Sequence, residues 1–261
     1  MLLKYNLKKR YASRMNEKSS IINKELLEIQ LKWKNEVVKC FLENHKEQQS
    51  ELSHPFYFRV SDKYTSFEKK IMIVGQETKN WGKYSEEVEE DYLQNCSVEY
   101  LESQLEKKNN YKYNRSPFWG FFRKLDACGY TPCWNNIDKL HRYKNGKTEP
   151  LTEEQKEAFC AQYGEDKKSL LQREIDIVEP GAIVFVIGPK YQCSLEYSFG
   201  LHSVSNELFE LKPTPSCPCQ DISHVINIGI PVIWSYHPNF LRFRKEIRDS
   251  WFNMICNFAT K

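Results

Sequence analysis

The stretch Lys69-Lys70-Ile71-Met72-Ile73-Val74-Gly75-Gln76-Glu77 decides the fold. Its apolar core is short, lacks the alternation of a half-buried strand, and stops at a glycine. That pattern reads as a strand buried on both faces, which belongs in a parallel sheet covered by helices. Ala182-Ile183-Val184-Phe185-Val186-Ile187 repeats it before Gly188, and Pro231-Val232-Ile233-Trp234-Ser235-Tyr236 repeats it before His237. Cys133-Trp134-Asn135-Asn136-Ile137 is a weaker match. Helical patterns lie between these runs. From Asn23 to His45, Leu27, Leu31, Val38, Phe41 and Leu42 form one stripe. Pro117 opens a helix through Phe118, Phe121, Phe122 and Leu125 that Gly129 ends. Leu170, Leu171, Glu174, Ile175 and Val178 recur at helical spacing before Pro180-Gly181, and a last helix is expected over residues 241–258.

Strands alternating with helices imply an α/β fold. The expected form is a three-layer αβα sandwich around a mostly parallel four-stranded sheet with right-handed crossovers. The chain reads as a single α/β domain over residues 1–261, with neither a repeat nor a linker. Within it, residues 1–20 form a basic, frayed start, and residues 70–258 hold the core. Residues 84–114 read as a helix and an exposed loop, Tyr143 to Gln162 as an exposed excursion, and residues 200–222 as a loop holding Pro and Cys.

The 261 residues suffice for one large core, and 40% hydrophobic with 28% charged residues suits a soluble globular chain. No apolar run reaches the length of a membrane span, and Met1-Leu2-Leu3-Lys4 lacks the features of a secretory signal, so a cytoplasmic protein is expected. The nine cysteines are scattered and read as small core residues of a reducing compartment. Cys217-Pro218-Cys219 with His224 offers one tight ligand pair, short of the two spaced pairs of a zinc site, so no metal is expected. The net charge of +3 neither demands nor excludes a polyanion, but its distribution is uneven. Lys4, Lys8, Lys9, Arg10 and Arg14 crowd the start, and Arg242, Arg244, Lys245 and Arg248 follow His237-Pro238, where they are placed to meet phosphates.

Ligands of open α/β sheets bind at the carboxyl ends of the strands. Three polar groups fall there: Gly75-Gln76-Glu77, Asn135-Asn136 and His237-Pro238-Asn239. The glycine permits a tight turn or close approach of a ligand. Glu77 is suited to act as base, to orient a water or to steady a developing cation. His237 can donate to an oxygen gaining negative charge, and either asparagine can read a planar amide-bearing ligand with paired donor and acceptor.

In this order the motifs resemble the uracil-DNA glycosylase superfamily over roughly residues 70 to 258. The family's first motif, Gly-Gln-Asp-Pro-Tyr, is similar to Gly75-Gln76-Glu77-Thr78-Lys79, and its second, beginning His-Pro-Ser, to His237-Pro238-Asn239. Its base-reading asparagine corresponds to Asn135 or Asn136, and its leucine four residues past the histidine to Leu241. The resemblance implies DNA as partner, a monomer, no cofactor, and hydrolysis of the N-glycosidic bond of a flipped, deaminated base. It assigns catalysis to Glu77 and His237. Substrate binding falls to Gly75, Gln76, Asn135, Asn136 and Asn239, with Trp81, Phe118 or Trp119 as the stacking face. DNA contact falls to Phe240, Leu241, Arg242, Arg244 and Lys245, with Leu241 and Phe240 as the wedge. Glu77 is longer than the family's Asp by one bond of about 1.5 Å, Thr78-Lys79 replaces Pro-Tyr, and Phe240 replaces the usual Pro. Two other readings stay open: a nucleic-acid-binding protein without the chemistry, and a nucleoside or nucleotide enzyme or sensor.

Overall fold

A computed structural model describes residues 17–77, 81–106, 116–201, 205–241 and 245–258, without the side chains of residues 205, 241, 245, 246, 248 and 249. The chain opens with helix α1 (Glu17–Trp33), which passes through a π-turn at Lys34–Val38 into α2 (Lys39–Asn44). Helix α1 thus takes in the last residues of the segment expected to be frayed. Ser19 is buried there and its hydroxyl donates to Asp62, at the start of the short α3 (Asp62–Ser66). Residues 1–16 lie outside the described residues.

The decisive apolar run forms β1 (Lys70–Gly75), after which come α4 (Glu90–Glu106), α5 (Pro117–Ala127) and β2 (Thr131–Asn136). A hairpin of β3 (Arg142–Lys144) and β4 (Lys147–Glu149) then leads to α6 (Glu153–Cys160), α7 (Leu170–Val178) and β5 (Ala182–Phe185). Next come α8 (Gln192–Phe199), α9 (Ser205–Glu210), β6 (Cys219–Asp221), α10 (Ser223–Ile226), β7 (Val232–Ser235) and α11 (Lys245–Phe258).

The sheet order is β2-β1-β5-β7-β6. The expected four strands pair in parallel, and β6 adds a fifth, antiparallel edge on β7. This corrects the four-stranded expectation. A three-residue strand is too short to show a period, and its pairing with β7 is non-local. Residues 143–162 also differ from expectation. They hold the hairpin and α6, and α6 buries Gln155, Lys156, Phe159 and Cys160. A reciprocal capping box between Thr152 and Gln155 starts that helix, so its polar sequence still has a strong local start.

Helices cover both faces of the sheet. Asn135, Val74, Phe185 and Trp234 share one face by register, with Glu174 of α7 bonded to Asn135 and Phe199 of α8 packed on Phe185. On the other face, Trp119 of α5 meets Trp134 and Trp251 of α11 donates to Ser235 at 2.5 Å. One apolar cluster reaches from Leu26 to Ile255. Among the described residues, no helix is long and apolar enough to cross a membrane. The nine cysteines, all among the described residues, are thiols rather than disulfides, and Cys40, Cys128 and Cys217 are exposed rather than in the core.

Candidate functional site

Strand β1 ends at Gly75, and three distant segments meet there. Register pairs Gly75 with Asn136, the last residue of β2. A Cβ on Gly75 would lie 2.8 Å from the Asn136 Oδ1 and 3.4 Å from the Phe118 ring. Glycine is therefore required so that amide and ring can close over the strand end. The Asn136 Oδ1 accepts from the Trp134 indole at 3.0 Å, which fixes the orientation of the amide. Phe118, in the first turn of α5, lies parallel to His237, with ring centroids 5.3 Å apart and planes at 2°. Its position follows from Pro117, which starts the helix where its missing N–H is harmless.

His237 follows β7. Its Nδ1 accepts the backbone N–H of Asn239 at 3.2 Å, and its carbonyl accepts from Phe240 at 2.9 Å. In the neutral ring an accepting Nδ1 leaves the proton on Nε2, the tautomer suited to donate to a ligand oxygen. Gly75, Phe118, Asn136 and His237 are thus brought together from the ends of three strands and one helix.

Other expected site residues go elsewhere. Adjacent strand residues point to opposite faces, so Asn135 is turned from the group that holds Asn136. Its amide donates to Glu174 at 2.9 Å and accepts from Lys139, in full burial. Asn135 is thus held by the interior network rather than placed beside Gly75. Trp81 donates to the Pro55 carbonyl at 3.2 Å and packs on Phe56. The Phe240 ring stacks on Tyr236 at 4.0 Å rather than standing alone as a wedge. Leu241 closes a 3-10 turn with Pro238, but its side chain and that of Lys245 lie outside the described set, as do Arg242 and Arg244 entirely.

Gln76 donates to the Ile187 carbonyl at 2.8 Å and, with Glu77, borders a cleft of about 470 Å³ that Thr148, Lys156, Lys190 and Tyr191 also line. The Glu77 carboxylate accepts from the Tyr191 hydroxyl. Burial first, then the Glu77 charge and this hydrogen bond, push the Tyr191 phenol far above its ordinary range, so it remains a neutral donor. Burial works against the Lys156 ammonium. The Glu153 hydrogen bond and the charges of Asp138 and Glu153 outweigh that and hold its pKa above the usual lysine value. A second hollow, of about 430 Å³, opens near Lys70 and Gly181 at the amino ends of β1 and β5. The chemistry-bearing residues gather at the carboxyl ends, as parallel sheets favour.

Sequence reasoning missed Tyr191, Lys156 and Asp138. The same end-of-strand argument could have found Tyr191, which follows Gly188-Pro189-Lys190 after β5, and Asp138, two residues past β2. Lys156 lay in a segment whose polarity concealed a packed helix. Among the described residues, no group of three or more His, Cys, Asp or Glu side chains is placed to hold a metal ion. No protein-family model matches the chain, and no curated protein matches it at a significant level.

Proposed function

We propose that this chain is a DNA glycosylase-like hydrolase that binds a flipped, deaminated base at the Gly75 strand end and cleaves its N-glycosidic bond. The observation that carries the reading is the cluster of an oriented amide and a planar ring closing on one glycine, with an imidazole stacked on that ring: Asn136 and Phe118 at Gly75, and His237 against Phe118. Phe118 offers a face for stacking, and Asn136 a paired donor and acceptor for the base edge. His237 donates to the base oxygen on which negative charge builds as the bond breaks. The base leaves with the electron pair of the glycosidic bond, and water supplies the hydroxyl to the sugar carbon and its remaining proton to the departing base. Glu77, steadied by Tyr191, places that water or offsets the charge of the sugar cation.

Oligonucleotides carrying uracil, hypoxanthine or xanthine, single- and double-stranded, test the reading through release of free base. Glu77→Gln and His237→Ala are each expected to slow release by about 100-fold or more. No release from any substrate, or release that both variants leave intact, overturns it. One observation favours a second reading. The cleft beside Glu77 is lined by neither Phe118 nor Asn136 nor His237. A carboxylate turned from the base would leave a protein that holds nucleic acid without cutting it. Salt-sensitive oligonucleotide binding with no release of base would identify that protein.

A further inference from the structure

Asp138 has no solvent exposure and lies just past the Asn136 that ends β2. Its backbone N–H donates to the Gln76 carbonyl at 3.1 Å, which fixes it behind the Glu77 turn. Its Oδ1 receives the Cys160 thiol of α6 at 3.5 Å, a weak donor. Its Oδ2 and the Ser194 hydroxyl of α8 are both buried and face each other, with no well-formed hydrogen bond between them. An ionised carboxylate is strongly disfavoured in such a place, and a buried polar atom left bare calls for a reason.

The surroundings supply one. Lys156 sits 2.9 Å from the Glu153 carboxylate and 5.8 Å from the centre of the Tyr191 ring, and the Tyr191 hydroxyl donates to Glu77. Asp138 acts on both Lys156 and Tyr191 through its charge, as Glu77 acts on Asp138. The Tyr191 phenol thus serves the Glu77 carboxylate at the cleft, and the Lys156 ammonium, which lines the same cleft paired with Glu153, also acts through its charge on the Asp138 carboxyl. We propose, resting on the reading of Glu77 as the catalytic carboxylate, that Asp138 is a positioning residue whose gain or loss of a proton decides whether Lys156 serves the cleft or the buried carboxyl.

The charged and titratable groups around Asp138 are few. Lys156 and Cys160 face it from α6, Ser194 from α8, and Glu77 and Tyr191 from the strand-end turns. Glu153 and Cys193 act at one remove, through Lys156. Burial, and then the Glu77 charge, push the carboxyl up to about 7 against the opposing pull of Ser194, Lys156 and Cys160. With the proton in place, the pair carries one negative charge, on Glu77, and the ammonium stays at the cleft. Loss of the proton puts a second negative charge behind Glu77 and draws Lys156 inward.

The test pairs a rate with a titration. Base release from uracil- and hypoxanthine-containing oligonucleotides is expected to fall above neutral pH, approaching about tenfold per pH unit. Asp138→Asn, the isostere of the neutral acid, is expected to remove that limb. Site-resolved carbon-13 NMR of the Asp138 carboxyl is expected to show a midpoint near neutrality that Glu77→Gln lowers and Lys156→Met raises. These titrations decide the matter if the Asn variant does not fold. A midpoint below about 5, in the ordinary aspartate range, overturns the proposal. So does insensitivity to both neighbours, or an alkaline limb that survives Asp138→Asn. If the titration couplings appear but the wild type releases no base, the link between Asp138 and Glu77 stands and the hydrolase reading ends.

Discussion

Glu174 and Asp138 are both fully buried carboxyl groups, housed in opposite ways. Glu174 accepts from Gln30 at 3.0 Å on one oxygen, and from Asn135 at 2.9 Å and Lys139 at 2.5 Å on the other. Gln30 also donates to the Phe58 carbonyl at 2.9 Å, and Gln94 donates to the Asn23 carbonyl at 3.1 Å. The network joins α1, α4, α7 and β2. Asp138 has a thiol, a bare oxygen, and Lys156 held in common with Glu153. A buried charge whose lone pairs are met specifies packing. One left partly unmet at the carboxyl end of a strand is where ligand chemistry is more often found.

The largest expected effect tests the satisfied side. Lys139→Met strands a buried Glu174 charge and is expected to lower stability by roughly 3–5 kcal/mol in urea unfolding. Replacing Lys139 and Glu174 together by apolar residues of similar volume should recover most of it. If the single change is nearly neutral, the network is not what holds these elements together.

Next comes Asp138, where the sign is opposite. Its folded pKa lies above its unfolded value, so between about 4 and 7 the folded state holds more protons than the unfolded one. Stability is therefore expected to fall as pH rises through that window and to level off above it. Asp138→Asn should remove this slope and be the more stable protein at pH 8 by roughly 2–4 kcal/mol, with little advantage at pH 4. Thermal unfolding of both proteins across that range is the measurement. Parallel curves would erase the contrast with Glu174.

The adjacent asparagines sharpen the comparison further. Asn135→Ala takes a donor from Glu174 and an acceptor from Lys139, and should cost about 2 kcal/mol in urea unfolding. Asn136→Ala leaves the Trp134 indole seeking an acceptor, at about 1 kcal/mol, yet should abolish base release. The reverse ranking would mean the faces of β2 have been misassigned. Smallest is an ion pair left in water. Lys168 and Asp176 are 2.5 Å apart but about half exposed, and Lys168→Ala should change stability by less than about 0.5 kcal/mol in the same assay.

The parallel strands were legible because unbroken apolar runs such as Ile71-Met72-Ile73-Val74 occur only where both faces are covered. Strand β2 was fainter. Thr131-Pro132-Cys133-Trp134-Asn135-Asn136 is half polar, yet every residue is buried, because Glu174 of α7 meets the Asn135 amide and the Trp134 indole meets that of Asn136. The short β6 and the polar α6 were hidden for the same reason: pairing and packing, rather than local pattern, hold them in place.

For the site, sequence alone determined that Gly75, the Asn135-Asn136 pair and His237 stand at strand ends, since topology places them there whatever the side-chain packing. Tertiary structure decided the rest. Which asparagine faces Gly75 depends on a register that neighbouring strands impose, and one residue's slip would exchange them. That Phe118 lies against His237, and that Asp138 is buried behind the turn that carries Glu77, comes from segments distant in sequence meeting at one rim. Solvent exclusion, which sets those electrostatics, is a property of the assembled fold and not of any segment of the chain.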